Sequence, residues 1–207
     1  MNLPNRLTLT RVVLTVFFVM ALLLPPEGIV HSYFPYGKTL ALVIFLVAGL
    51  TDWWDGVIAR LRKQETDFGA LLDPVADKIL TTAAFICFIE QKDQHGHALV
   101  QAWMVLVIVS RDFLVMGLRL VARERGVVLK AERLGKQKTA SQMITIMVTL
   151  FGLAARENWN CFGLNPQRFD TVFSVTVFWM MIITVGLTLS SGIAYLVKNR
   201  QIFLHDA

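Results

Sequence analysis

The chain has 207 residues, 55% of them hydrophobic and 17% charged, whereas soluble domains carry about 25% charged residues. With a mean hydropathy of +0.57 this excludes an ordinary soluble domain and points to an integral membrane protein. The isoelectric point near 9.5 suits an anionic lipid surface or phosphate-bearing substrates better than nucleic acid, because the basic residues cluster beside apolar runs.

Six apolar runs follow in chain order, near residues 8–24, 38–60, 68–90, 98–120, 139–156 and 170–197. Each suits a bilayer-crossing helix, which needs about 17–25 mostly apolar residues. The first run, behind Arg6 and Arg11, is similar to a signal peptide. Pro25-Pro26-Glu27 follows it instead of a small-residue cleavage site, so it is read as an uncleaved first span. Pro25-Pro26, Pro35, Gly96, Gly126, Gly135 and Asn165-Pro166 punctuate the runs. No alternating strand pattern competes. The expected fold is an all-α integral membrane protein of six transmembrane helices, forming one domain over residues 1–207. Fifteen of the twenty lysines and arginines fall on the side that holds both ends of the chain, so both termini are expected in the cytoplasm. Cys87 and Cys161 lie far apart, Cys87 within an apolar run, and imply no disulfide framework.

Four aspartates interrupt this apolar sequence: Asp52 and Asp55 in the second span, Asp73 and Asp77 in the third. A carboxylate in hydrocarbon costs roughly 2.5–3.5 kcal/mol on insertion scales. At about 100° per residue, Asp52, Asp55, Gly56 and Ala59 share one helical stripe, with Arg60 at its margin. Gly69, Asp73 and Asp77 share another, and the short link between the spans makes them antiparallel neighbours. Four hard oxygen donors can hold two divalent cations, Mg²⁺ or Mn²⁺, which would cancel the charge. Such a metal pair suits in-line phosphoryl displacement. Gly56 and Gly69 leave room for a nucleotide against the backbone, and Arg60 can pair with a phosphate. The rival account makes the aspartates helix caps, with Asp73-Pro74 as a cap signal. It does not explain Asp52.

The run Asp52-Trp-Trp-Asp55-Gly56-Val-Ile-Ala59-Arg60, followed by Gly69-Ala-Leu-Leu-Asp73-Pro-Val-Ala-Asp77, resembles the signature of the CDP-alcohol phosphotransferases at all eight defining positions. The resemblance extends over about residues 2–143. It includes Pro4-Asn5-Arg-Leu-Thr8-Leu-Thr-Arg11, Ser110-Arg111-Asp112, Gly117-Leu118-Arg119 and Leu134-Gly135-Lys136-Gln-Lys138-Thr139, which are similar to members that make phosphatidylglycerophosphate. The resemblance implies a homodimeric membrane enzyme that transfers a phosphatidyl group from CDP-diacylglycerol to an alcohol and releases CMP. It implies Asp52, Asp55 and Asp73 as metal ligands, and Asp77 as general base that also touches metal. It implies Gly56, Ala59, Arg60 and Gly69 as contacts to the cytidine diphosphate, with Asn5 and Thr8 as further candidates. The implied acceptor is sn-glycerol 3-phosphate, and the implied setting a bacterial plasma (inner) membrane with the site facing the cytoplasm.

Arg111, Arg119, Lys136 and Lys138 support a phosphate-bearing acceptor independently, since a neutral alcohol needs no such cations. Their bland reading is positive-inside topology, or for Arg111 an ion pair with Asp112. Asn5 and Thr8 have a bland reading too, as helix caps. His95 and His97 read as a solvated loop. Other acceptors (inositol phosphate, serine, phosphatidylglycerol) remain alternatives within the same chemistry. A divalent-metal transporter or a non-catalytic scaffold are alternatives outside it.

Overall fold

The computed structural model describes residues 3–23, 36–62, 67–124, 133–157 and 165–198, with side chains throughout except at residues 3–8, 52–62, 67–77, 123–124 and 133–134. The described residues form six helices: α1 (Leu3–Leu23), α2 (Gly37–Arg62), α3 (Asp67–Glu90), α4 (Ala102–Glu124), α5 (Arg133–Glu157) and α6 (Pro166–Lys198). The only strand-like pairing among them is an isolated bridge between Lys92 and Ala98.

The helices coincide with the apolar runs but not at every boundary. α4 starts at Ala102 rather than near residue 98 because Ala98 to Val100 belong to a tight turn. Leu99 N–H donates to the Gln91 carbonyl at 2.8 Å, and Gly96 takes φ = 79°, in the left-handed region where glycine alone pays no steric cost. Leu99 and Val100 are nonetheless core residues. Gly135, expected to punctuate the chain, instead lies inside α5, which begins at Arg133. An isolated glycine costs a helix only about 1 kcal/mol relative to alanine, and helix formers flank this one. Pro74 also lies within a helix, since α3 starts at Asp67. Asp73-Pro74 is therefore not the start of α3, which removes the capping account for Asp73. Asn165 does cap a helix: its Oδ1 accepts from the N–H groups of Gln167 and Arg168 at 3.2 and 3.4 Å, with Pro166 first in α6.

α1 packs on α2 and α3, α2 on α5, α5 on α6, and α6 on α4, while α3 also touches α4 and α5. Phe18, Phe45, Phe85, Phe88, Ile146 and Leu150 fill the centre. Phe18 and Leu22 are almost fully buried, so α1 is part of the core. The outside is apolar too: Phe17, Leu106, Phe151, Ile183 and Ile193 are all more than half exposed. α5 from Gly135 and all of α6 are long and apolar enough to cross a membrane. At about 1.5 Å per residue, α6 spans about 50 Å, well beyond the roughly 30 Å of bilayer hydrocarbon.

In lipid, apolar burial does not drive helices together, so packing and hydrogen bonds must. The α5–α6 seam shows both. Gln142, Thr145 and Thr149 are buried on α5, and Thr184, Thr188 and Ser191 on α6. Thr145 and Thr184 share a hydroxyl–hydroxyl bond of 2.9 Å. Thr149 and Thr188 donate to carbonyls one turn back, at 2.8 and 2.6 Å. Gly152 lets the Phe173 ring lie directly on the α5 backbone. A Cβ there would overlap the ring, which is stacked on Phe169 and covered by Arg156. Gly152→Ala is expected to cost about 1–3 kcal/mol by overpacking, read as a lower thermal midpoint in detergent. Gly186→Ala, with open space at its Cβ position, is the control and should not lower it.

One end of the bundle is closed by charge. The Glu157 carboxylate, at the end of α5, accepts from the backbone N–H of Lys38 and Thr39 at 2.7 and 2.8 Å and from the Thr39 hydroxyl at 2.9 Å. It thereby caps the free amides at the start of α2. Arg156 donates to the Lys92 carbonyl at 2.8 Å and pairs with Asp170, whose other oxygen accepts from Gln94 N–H at 2.8 Å.

Candidate active site

The opposite end carries the signature. α2 ends at Arg62 and α3 begins at Asp67. Asp52 and Asp77 therefore each lie ten residues from that junction, about 15 Å along their helices. Asp55 and Asp73 lie seven and six residues from it. The two pairs thus lie at similar distances along their helices from the junction, and both helices pack on α1 and α5. The side chains of Asp52, Asp55, Gly56, Ala59, Arg60, Gly69, Asp73 and Asp77 lie outside the described residues, as do those of Asn5 and Thr8, although their backbones are on α2, α3 and α1. Four carboxylates and no sulfur or imidazole form a donor set that fits Mg²⁺ or Mn²⁺.

Just beyond Asp77, four helices surround a cavity of about 130 Å³. Arg11 of α1 and Lys78 of α3 line it, with Gly49 of α2 and Thr139 and Gln142 of α5. Arg11 belongs to the amino-terminal run that carries the family resemblance, whereas Lys78 counts only toward topology. Nothing in the helical period places Lys78 on the stripe of Asp73 and Asp77, since adjacent residues stand about 100° apart.

The basic residues separate into distinct settings. Arg111 and Lys138, on different helices, meet at one carboxylate. Asp112 Oδ1 accepts from Arg111 Nη1 at 3.3 Å and from Lys138 Nζ in a short contact. Arg111 Nη2 donates to Ser191 Oγ of α6 at 2.5 Å. Gly192 opens the space for this arginine, since a Cβ there would lie 3.0 Å from Arg111 Cγ. Two turns further along α4, the Arg119 guanidinium lies 5.6 Å over the Tyr195 ring, a cation–π contact. Lys136 is exposed and lies outside this buried cluster. The ion pair between the neighbours Arg111 and Asp112 was legible in the sequence, but the contact of Asp112 with Lys138 and the roles of Ser191 and Tyr195 were missed, because nothing in their spacing along the chain shows that α4, α5 and α6 converge.

His95 and His97 are exposed at the other end. Both backbone N–H groups donate to Asp93 Oδ1 at 2.8 Å. Desolvation pushes the Asp93 carboxyl up, but the N–H donors and imidazoles of His97 and His95 outweigh it and hold the group below the usual carboxylate range. Among the described residues, no three His, Cys, Asp or Glu side chains gather as a metal site.

The helical bundle carries the acidic signature on two successive helices, and the family follows from comparison of the whole chain. The chain belongs to the CDP-alcohol phosphatidyltransferase family, whose model matches residues 1–190. It is 36% identical over 205 residues to the CDP-diacylglycerol–glycerol-3-phosphate 3-phosphatidyltransferase of Bacillus subtilis (strain 168), covering 96% of this chain and 95% of that one. The protein of the same name from Haemophilus influenzae is 37% identical over 183 residues, covering 87% and 90%. That from Pseudomonas fluorescens is 32% identical over 202 residues, covering 95% and 89%.

Proposed function

We propose that this protein transfers the phosphatidyl group of CDP-diacylglycerol to sn-glycerol 3-phosphate, yielding phosphatidylglycerophosphate and CMP. The observation that carries the reading is the complete eight-position signature on the successive helices α2 and α3, in a chain similar to proteins named for that activity over nearly its whole length. The finer reading is a single domain with six spans, both termini cytoplasmic, in a bacterial plasma (inner) membrane. It works as a homodimer with its site toward the cytoplasm. Support comes from the sidedness of the basic residues and the lipid-compatible exterior.

In this reading Asp52, Asp55, Asp73 and Asp77 hold two divalent cations, Mg²⁺ or Mn²⁺, which when bound supply charge neutralisation for the diphosphate. Gly56, Ala59, Arg60 and Gly69, with Asn5 and Thr8, bind the cytidine diphosphate. Arg111, Arg119 and Lys138, with Lys136 at the exposed rim, bind the acceptor's phosphate and so orient its primary hydroxyl. Asp77 takes the hydroxyl proton as the oxygen attacks the phosphorus bearing diacylglycerol. The bond from that phosphorus to the bridging oxygen breaks, and CMP leaves with its charge beside Arg60.

The test is CMP release from CDP-diacylglycerol by purified protein with glycerol 3-phosphate, inositol phosphate, serine or phosphatidylglycerol. Glycerol 3-phosphate is expected to support turnover, and chelation to abolish it until Mg²⁺ or Mn²⁺ is restored. Turnover with a different acceptor alone would overturn the substrate assignment. Metal flux without CMP would overturn the enzyme.

A further inference from the structure

We propose that Asp112 and Ser191 are positioning residues, which hold Arg111 and Lys138 as a prearranged cation pair for the acceptor's phosphate. The inference rests on the acceptor reading above. Lys138 is 2% exposed, Asp112 9% and Arg111 15%, so all three charges are withdrawn from water. If the cluster existed only to neutralise buried charge, charges and hydrogen bonds would balance within it. They do not. Among the described residues, two cations share one carboxylate, which leaves one positive charge in excess. Arg111 uses Nη1 on Asp112 and Nη2 on Ser191, while its Nε is buried without an acceptor among the described residues. An incoming dianionic phosphate supplies both missing items, negative charge and acceptor oxygens. The two anchors, Asp112 on α4 and Ser191 on α6, hold cations that stand on α4 and α5, so the cations are fixed relative to one another before the ligand arrives. That lowers the ordering cost of binding.

Two effects of removing the carboxylate oppose each other. Loss of a negative charge raises the local positive potential, which alone would tighten phosphate binding. Against this, a buried ammonium without its counter-charge is strongly disfavoured and must give up its proton or leave its place, and either removes a cation from the pair. With Lys138 this deeply buried, the second effect dominates.

The experiment is steady-state kinetics of Asp112→Asn, Asp112→Glu and Ser191→Ala in the full-length protein, with KM measured separately for glycerol 3-phosphate and CDP-diacylglycerol. Asp112→Asn is expected to raise the acceptor KM about tenfold, the scale of one charged contact, and to leave the donor KM within about twofold. Asp112→Glu, which keeps the charge, should recover part of that loss. Ser191→Ala, which keeps every charge and tests the same restraint if the Asn variant does not fold, should raise the acceptor KM about threefold. An acceptor KM that is unchanged or lower, donor and acceptor KM rising together, or Glu performing no better than Asn would each overturn the inference. A wild-type protein that uses only a neutral acceptor would overturn the substrate reading and this inference together. Failure of the variants alone, with wild-type turnover intact, would leave the substrate reading standing.

Discussion

Asp77→Asn is expected to lower kcat for CMP release by about 10²–10⁴-fold, the usual worth of a general base. Asparagine keeps the size of the side chain and one of its oxygens but cannot accept the hydroxyl proton. Asp77 sits ten residues into α3, directly before Lys78, which lines the cavity shared by four helices. Binding of CDP-diacylglycerol should survive, because Asp52, Asp55, Asp73 and the glycine-lined stripe are untouched. Donor affinity measured without acceptor therefore separates lost chemistry from lost binding. Turnover near the wild-type level would remove Asp77 as the base, and loss of donor binding in step with turnover would make it a binding residue instead.

The second large effect concerns stability. Asp170→Ala is expected to cost about 3 kcal/mol, because it leaves the Arg156 guanidinium in a mostly buried place without its carboxylate. Asp170 is 4% exposed on its side chain and Arg156 13%. The same aspartate accepts from Gln94 N–H, so the turn between α3 and α4 loses one of its two hydrogen bonds to α6 and keeps that from Gln94 Nε2 to the Gln167 carbonyl. The readout is the thermal midpoint in detergent. The double variant Arg156→Ala/Asp170→Ala should be less destabilised than the sum of the single variants, as coupled partners require. Strict additivity would show that the pair contributes nothing beyond its separate side chains. Since these residues lie at the end of the bundle away from the signature, kcat of the folded fraction should be unaltered.

The helices were largely legible from hydropathy because membrane-length apolar runs permit little else. A backbone in hydrocarbon must bond within its own segment. Helix ends were less legible, since they depend on local hydrogen bonds that hydropathy does not register. Ala98 to Val100 are as apolar as a span but serve a turn whose Leu99 N–H bonds Gln91. Gly135 has the composition of a breaker but is carried through by the helix formers around it. Pro74 likewise failed to mark a helix start.

The site divides in the same way. The signature aspartates, glycines and Arg60 are close in sequence, and regular 3.6-residue geometry suffices to align them on two stripes. The proposal for the four carboxylates therefore rests on sequence spacing alone. Arg111, Lys138 and Ser191 stand on three helices, and no periodicity relates them. Their meeting at Asp112, and the seating of Arg119 over Tyr195, follow from the packing of α4 and α5 against α3 and α6. Local order along a helix is set by covalent spacing, whereas contact between distant helices is decided by which side chains interlock, and only the folded bundle contains that information.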